Sequence, residues 1–179
     1  MSWIQTFTGR KFYPLAPRPG DVCIEDIAHA LSMKCRFGGH CKKFYSVAEH
    51  SVRVSRCLPA DLALWGLMHD AGEAYLPDIG KPIKDAIHVG TAAGQVTFGQ
   101  TEDQLLAVIA QALGFPPVDY EAVRVADLEL LATEARDLMA DPPEPWELGV
   151  EPLAEKISPL TQPEAERLFL ARWEQLRGR

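Results

Sequence analysis

Apolar residues recur at helical spacing along most of the chain. From Glu25 to about Lys34, the residues Ile27, Ala28 and Leu31 form one stripe, and the Gly38-Gly39 pair ends or re-routes the element. Ser46 with Glu49 three residues on reads as a capping box, after which Val47, His50 and Val54 share a face. Pro59 opens a helix through Leu62, Trp65, Met68 and His69 that runs to Gly72 or beyond, until Pro77 and Gly80 break it. A loop with two lysines follows. Residues 102 to 113 form an amphipathic helix through Leu105, Leu106, Ile109 and Leu113, stopped by Gly114 and Pro116-Pro117. Asp119 caps a helix whose broad face holds Val123, Asp127, Leu130, Leu131 and Glu134. Residues 141 to 160, rich in Pro and Glu, read as a long surface connection. Thr161 with Glu164 starts a final helix with Leu168, Phe169, Trp173 and Leu176 inward. At the start, TFTGRKFYPL has a Thr-Gly turn signal between β-prone runs and can form a short N-terminal β-hairpin outside the core. Five or more helices with at most one hairpin predict an all-α fold, with residues 1-179 as a single domain.

Three of these apolar faces carry groups that are costly to bury unless they are paired or bind a cation. His50 sits between Val47 and Val54, His69-Asp70 follows Leu67-Met68, and Asp127 sits between Val123 and Leu130. One such residue is ordinarily a satisfied core group. Two imidazoles and two carboxylates from three helices are most simply balanced by one divalent cation, with Mn, Co, Fe, Zn and Mg not distinguished. Glu73, four residues after His69, falls on the same face if the helix continues and could take a proton from an attacking water. In YLPDIGKPIK, Asp78, Lys81 and Lys84 follow closely, where lysines would neutralise a phosphoryl group. The spacing is H-D-x-x-E and not H-E-x-x-H, so a zincin protease is not supported.

Composition narrows the classes. The chain of 179 residues carries 25 acidic and 18 basic side chains, a formal charge of -7, which argues against a protein tracking a nucleic-acid polymer. The charge is uneven: residues 1 to 56 hold 9 Lys/Arg against 4 Asp/Glu, and residues 57 to 179 hold 9 against 21. A basic first third on an acidic body fits a small anionic ligand, with scattered solvated charge as the plain alternative. No stretch approaches the ~18 uninterrupted apolar residues of a membrane span. The start lacks the apolar core of a signal peptide, so no membrane partner and a cytoplasmic location are expected. Cys23, Cys35, Cys41 and Cys57 contain no C-x-x-C pair and read as reduced thiols; Cys35, His40 and Cys41 match no common zinc module.

The ordered set His50, His69-Asp70, Asp127 resembles the H...HD...D signature of HD-domain metal-dependent phosphohydrolases. HDAGEAYLPDIGKPIK is similar to the corresponding segment of bacterial 5'-deoxynucleotidases, and YSVAEHS and ADLELLATEARDLM extend the likeness from about Ile24 to Asp137. The resemblance implies a single HD-domain helical bundle in which His50, His69, Asp70 and Asp127 ligate the metal. It implies that Glu73 and Asp78 position or activate water. Arg36, fourteen residues before His50, would hold substrate phosphate, Phe37 would pack on sugar or base, and Lys84 matches the family's loop lysine. Lys81 and His40 are added as phosphate contacts on position and charge alone. Ala74 after Glu73 departs from the HD-x-x-E-D of guanosine tetraphosphate hydrolases, and the GYP motif of cyclic di-GMP phosphodiesterases is missing. The expected activity is hydrolysis of a deoxynucleoside 5'-monophosphate. A dATP-like triphosphohydrolase and a non-catalytic nucleotide sensor are the alternatives. A homo-oligomer is expected from the resemblance and from Leu168, Phe169 and Trp173, which an ordinary core helix would equally explain.

Overall fold

The computed structural model describes residues 2–91, 94–115 and 120–178. The described part is mainly helical: α1 (Ile24–Met33), α2 (Val47–Cys57), α3 (Ala63–Met68), α4 (Lys81–Lys84), α5 (Phe98–Leu113), α6 (Tyr120–Leu138) and α7 (Gln162–Leu176). Two antiparallel strand pairs accompany them. The N-terminal hairpin pairs β1 (Ile4–Gln5) with β2 (Lys11–Phe12), and a second pairs β3 (His88–Thr91) with β4 (Gly94–Thr97).

The N-terminal hairpin forms where the Thr-Gly signal puts it, with Gly9 at φ 82, but it does not lie outside the core. Phe12 is fully buried and its ring stacks on Tyr75 at 3.7 Å. The second hairpin is an addition to the expected single one. Its strands are exposed or half-buried and contain no Asn-Gly or Asp-Gly turn, so neither alternation nor turn chemistry announces it. It leads into α5, which starts at Phe98 rather than 102 because Thr97 and Gln100 form a reciprocal capping box. The two-lysine segment is a helical turn, α4, and not a loop.

The helix expected from Pro59 past Gly72 is interrupted. After α3 the chain passes through His69 and Asp70, the latter at φ -99 and ψ 13, into a 3-10 turn over Ala71–Ala74. Lys34 holds this turn from outside by donating to the carbonyls of Glu73 and Leu76. At the head of α2, Ser46 Oγ accepts from Glu49 N–H at 3.1 Å. The reciprocal half of that box is absent, because Glu49 turns to Arg53 and to Leu160 N–H. The proposed cap Asp119 and the Pro116-Pro117 stop lie outside the described residues.

Helices α1, α2, α3 and α7 pack around a core that includes Ile27, Leu31, Val47, Val54, Leu67, Met68 and Phe169, with α5 and α6 completing its sides. Residues 141 to 160 contain no helix or strand and run over the surface as expected. They are nevertheless tied to α6: Thr133 Oγ1 accepts from Leu153 N–H at 2.8 Å, and Asp137 Oδ2 accepts from Ile157 N–H at 2.8 Å. On α7, Phe169, Trp173 and Leu176 are buried in this core and supply no surface for a second copy, while Leu168 is half-buried against it. No helix among the described residues is long and apolar enough to cross a membrane.

Candidate functional site

Three helical elements bring His50, His69 and Asp127 to one point, as their apolar stripes predict. His50 is on α2, His69 at the end of α3 and Asp127 on α6. One ligand atom from each lies within 4.8 Å of the other two. His50 Nε2 is 3.3 Å from His69 Nε2 and 3.1 Å from Asp127 Oδ1; His69 Nε2 is 3.9 Å from that same oxygen. Asp70 joins them, with Oδ2 3.3 Å from His69 Nε2 and 3.6 Å from His50 Nε2.

The close approach of α2 and α3 rests on Gly66. A Cβ there would stand 2.4 Å from Leu58 Cδ1 and 3.0 Å from Ser55 Cα. Both imidazoles are held from behind. His50 Nδ1 donates to Glu134 Oε1 at 2.7 Å and His69 Nδ1 to the Gly66 carbonyl at 2.9 Å, so both Nε2 atoms face the cluster. Two neutral imidazoles would then aim lone pairs at each other across 3.3 Å, which requires a proton or a cation between them. Two nitrogens each ~2.05 Å from one tetrahedral ion stand about 3.3 Å apart, so the donor set fits a metal. The His50, His69 and Asp127 group could hold such an ion.

The charges respond to this crowding. Burial opposes the imidazolium of His69, but Asp70 and Asp127 outweigh it and raise the group to about 9. His50 is raised too: burial and Arg36 oppose its charge, Glu134 and Asp127 favour it. Burial would raise Asp70, yet His69, His50 and Arg36 hold it far below the usual carboxylate range. Asp127 is lowered against burial by His50 and His69. Glu73 moves the other way. Burial first, then Asp70 and Asp78, push it up to about 8.

Glu73 therefore reaches the site from the 3-10 turn and not from a continued α-helix. It is 9% exposed, and its Oε2 has no hydrogen-bond partner. It lines a cavity of about 510 Å³, open mouth included, together with His69, Asp70, Gly72, Lys84, Gly99, Glu102, Asp103 and Leu106. Lys84 is held there by Glu102 at 2.8 Å, and that pairing raises it despite burial.

Arg36 is adjacent but engaged. Its Nε donates to Glu134 Oε2 at 3.1 Å and its NH1 lies 3.5 Å from Asp70 Oδ2. Phe37 follows at φ 56, a left-handed conformation that Gly38 and Gly39 continue, and the Arg36 guanidinium lies 5.4 Å from its ring. Trp146, from the surface connection, approaches that ring to 6.3 Å. The remaining expected contacts are not gathered in. Asp78 is exposed at the edge, near enough to act on Glu73 and Lys34 by charge alone. Lys81 is 85% exposed and paired with Asp85. His40 is exposed and lines no part of the cavity. Cys35 and Cys41 have their sulfurs 3.4 Å apart, but no metal-ligating group forms around them among the described residues.

Sequence reasoning missed Glu102, Asp103, Trp146 and the role of Glu134. Glu134 had a visible signal, since it falls two helical turns after Asp127 on the same face. Glu102 had none, because its partner Lys84 is brought to it only by the second hairpin.

No family model matches the chain. It is similar to the uncharacterized protein RCAP_rcc00048 of Rhodobacter capsulatus, 33% identical over 181 residues, spanning 94% of this chain and 79% of that one. It is also similar to the uncharacterized protein YfdR of Escherichia coli K12, 40% identical over 180 residues, spanning 98% of this chain and 96% of that one. At that identity over nearly the whole of both chains, the protein belongs to the family of YfdR.

Proposed function

We propose that the protein is a metal-dependent phosphohydrolase of nucleotides, of HD-domain type, acting on deoxynucleoside 5'-monophosphates. The observation that carries this reading is the cluster of His50 Nε2, His69 Nε2 and Asp127 Oδ1 with Asp70 beside them, of which His69 and Asp70 also line a cavity holding an unpartnered Glu73 oxygen and a lysine. His50, His69, Asp70 and Asp127 would hold one divalent cation. When bound, that cation supplies a Lewis acid for the phosphoryl oxygens and lowers the pKa of water.

The chain's own groups do the rest. Glu73, buried in the cavity wall with its Oε2 carrying no hydrogen-bond partner, is the carboxyl placed to exchange a proton with the attacking water or the leaving oxygen. Lys84 and the Arg36 guanidinium neutralise the phosphoryl oxygens, and Phe37 offers an apolar face to sugar or base. Asp78 at the rim steers charge on Glu73 rather than touching the reacting atoms.

A panel of nucleotides incubated with Mn, Co, Mg, Zn and anaerobic Fe(II), with products read by phosphorus NMR, tests the proposal. Inorganic phosphate from dAMP is the expected product. Triphosphate from dATP would move the activity to the triphosphohydrolase class. No turnover of any nucleotide despite metal occupancy would leave a nucleotide sensor.

A further inference from the structure

Glu134 is among the most deeply placed charges in the molecule: its carboxylate has no solvent exposure, its ion pairs are with His50 and Arg36, and the buried Tyr45 hydroxyl nearby also favours its charged form. A buried carboxylate is costly unless both oxygens are engaged, and here each has a different partner. Oε1 accepts from His50 Nδ1 at 2.7 Å, 84 residues away in sequence. Oε2 accepts from Arg36 Nε at 3.1 Å, 98 residues away. His50 Nε2 is in turn 3.1 Å from Asp127 Oδ1, and Arg36 NH1 is 3.5 Å from Asp70 Oδ2. Asp127 and Glu134 share one face of α6, so a single rigid helix carries both a candidate ligand and the group behind another ligand.

We infer that Glu134 is a positioning residue that serves the metal and the anion parts of the site together, fixing the ring orientation and tautomer of His50 with one oxygen and aiming Arg36 with the other. Carboxylates behind a ligating imidazole generally raise its basicity and fix its rotation, and removing them weakens metal affinity about 10–100-fold. The double engagement adds a constraint specific to this chain. Arg36 stands beside a place meant for a cation, and the negative charge of Glu134 lies between that arginine and the imidazole. Without it, two donors would face each other with no acceptor between them. The inference rests on the metal-site reading above but not on the identity of the substrate.

Glu134→Gln separates the two duties. A glutamine has one carbonyl oxygen and one amide group, so it can accept from His50 or from Arg36 but presents a donor to the other. Titration of the folded variant with Mn²⁺, and of the Mn²⁺-loaded variant with inorganic phosphate, should show one of the two affinities reduced at least about tenfold. Both affinities within threefold of the parent protein would overturn the inference. Should the variant fail to fold, ¹⁵N-histidine NMR of the parent protein loaded with Zn²⁺ decides instead. His50 is expected to bind through Nε2 with Nδ1 protonated, and ligation through Nδ1 would sink the idea. A parent protein that binds no metal would overturn the metal reading and this inference together. Failure to hydrolyse any nucleotide would overturn the proposed activity and leave the metal and Glu134 measurements to be judged on their own.

Discussion

At the scale of single residues, the proposed function divides the site into groups that would hold the cation and groups that would act on substrate, and substitutions should separate them. Asp70→Ala removes a carboxylate that balances both imidazoles and is expected to abolish Mn²⁺ binding in calorimetry. Glu73→Ala removes an unpartnered oxygen, so metal binding should persist while turnover falls about 10²–10⁴-fold. Full activity in that variant would show that Glu73 does not carry the proton. His69 supplies a pH test with a definite sign. Its folded value of about 9 lies above the ordinary ~6.5, so its contribution to the stability of the metal-free protein is complete below about 6.5 and is lost as pH rises through 9. A cation must displace the same proton. The rise in melting temperature on adding Mn²⁺ should therefore grow between pH 6 and pH 9, and His69→Gln should flatten that growth. His50, His69 and Asp127 were readable in the sequence because a polar group on an apolar stripe is an anomaly within one helix. The duties of Glu134 were not readable, because a hydrogen bond spanning 84 residues leaves no mark on local periodicity.

At the scale of elements, the separation of α2 and α3 is set by a glycine. Gly66→Ala would press a methyl group on the backbone of Ser55, which cannot move aside as Leu58 can. A loss of about 1–3 kcal/mol is expected in urea denaturation, together with weaker Mn²⁺ binding, since His50 and His69 ride on the two helices. Normal stability and affinity in that variant would show that the helices have room to part. The break after α3 was invisible beforehand because the apolar period runs on through Met68 and no breaker stands before Gly72. The connection over residues 141 to 160 depends on α6 through Asp137, which is lowered to about 2, chiefly by Arg136 and against burial, with Ile157 N–H adding to it. A folded value below the ordinary ~3.9 means the stabilisation is present above about 4 and is lost as pH falls through 2. Asp137→Ala should cost about 1–2 kcal/mol at pH 7 and open the connection to proteases. The difference from the parent protein should shrink toward pH 2; a constant difference would mean that the carboxylate charge is not what ties the segment down.

At the scale of the whole molecule, the excess of acid and the basic first third take on distinct meanings. Of the early cations, Arg36 is bound into the site by Glu134 and Asp70, while Lys34 braces the turn that presents Glu73. Neither is a free rim charge. Because Phe169 and Trp173 are buried within one chain and Leu168 is half-buried against the core, the expectation of a homo-oligomer rests chiefly on the family resemblance. Sedimentation equilibrium of the metal-loaded protein tests it directly, and a monomer at all concentrations would end it.

The amino-acid sequence by itself determined the mainly helical class, most helix positions and the candidate metal cluster, because periodicity, capping residues and polar groups on apolar stripes are local properties of the chain. Tertiary structure decided how the candidate site is assembled. It bends the chain after α3 so that Glu73 enters from a 3-10 turn, joins Lys84 to Glu102 across the second hairpin, and sets one buried carboxylate between an imidazole and a guanidinium. Those outcomes depend on which distant surfaces pack together. Close packing and the cost of an unpaired buried charge are settled only when the whole core is assembled.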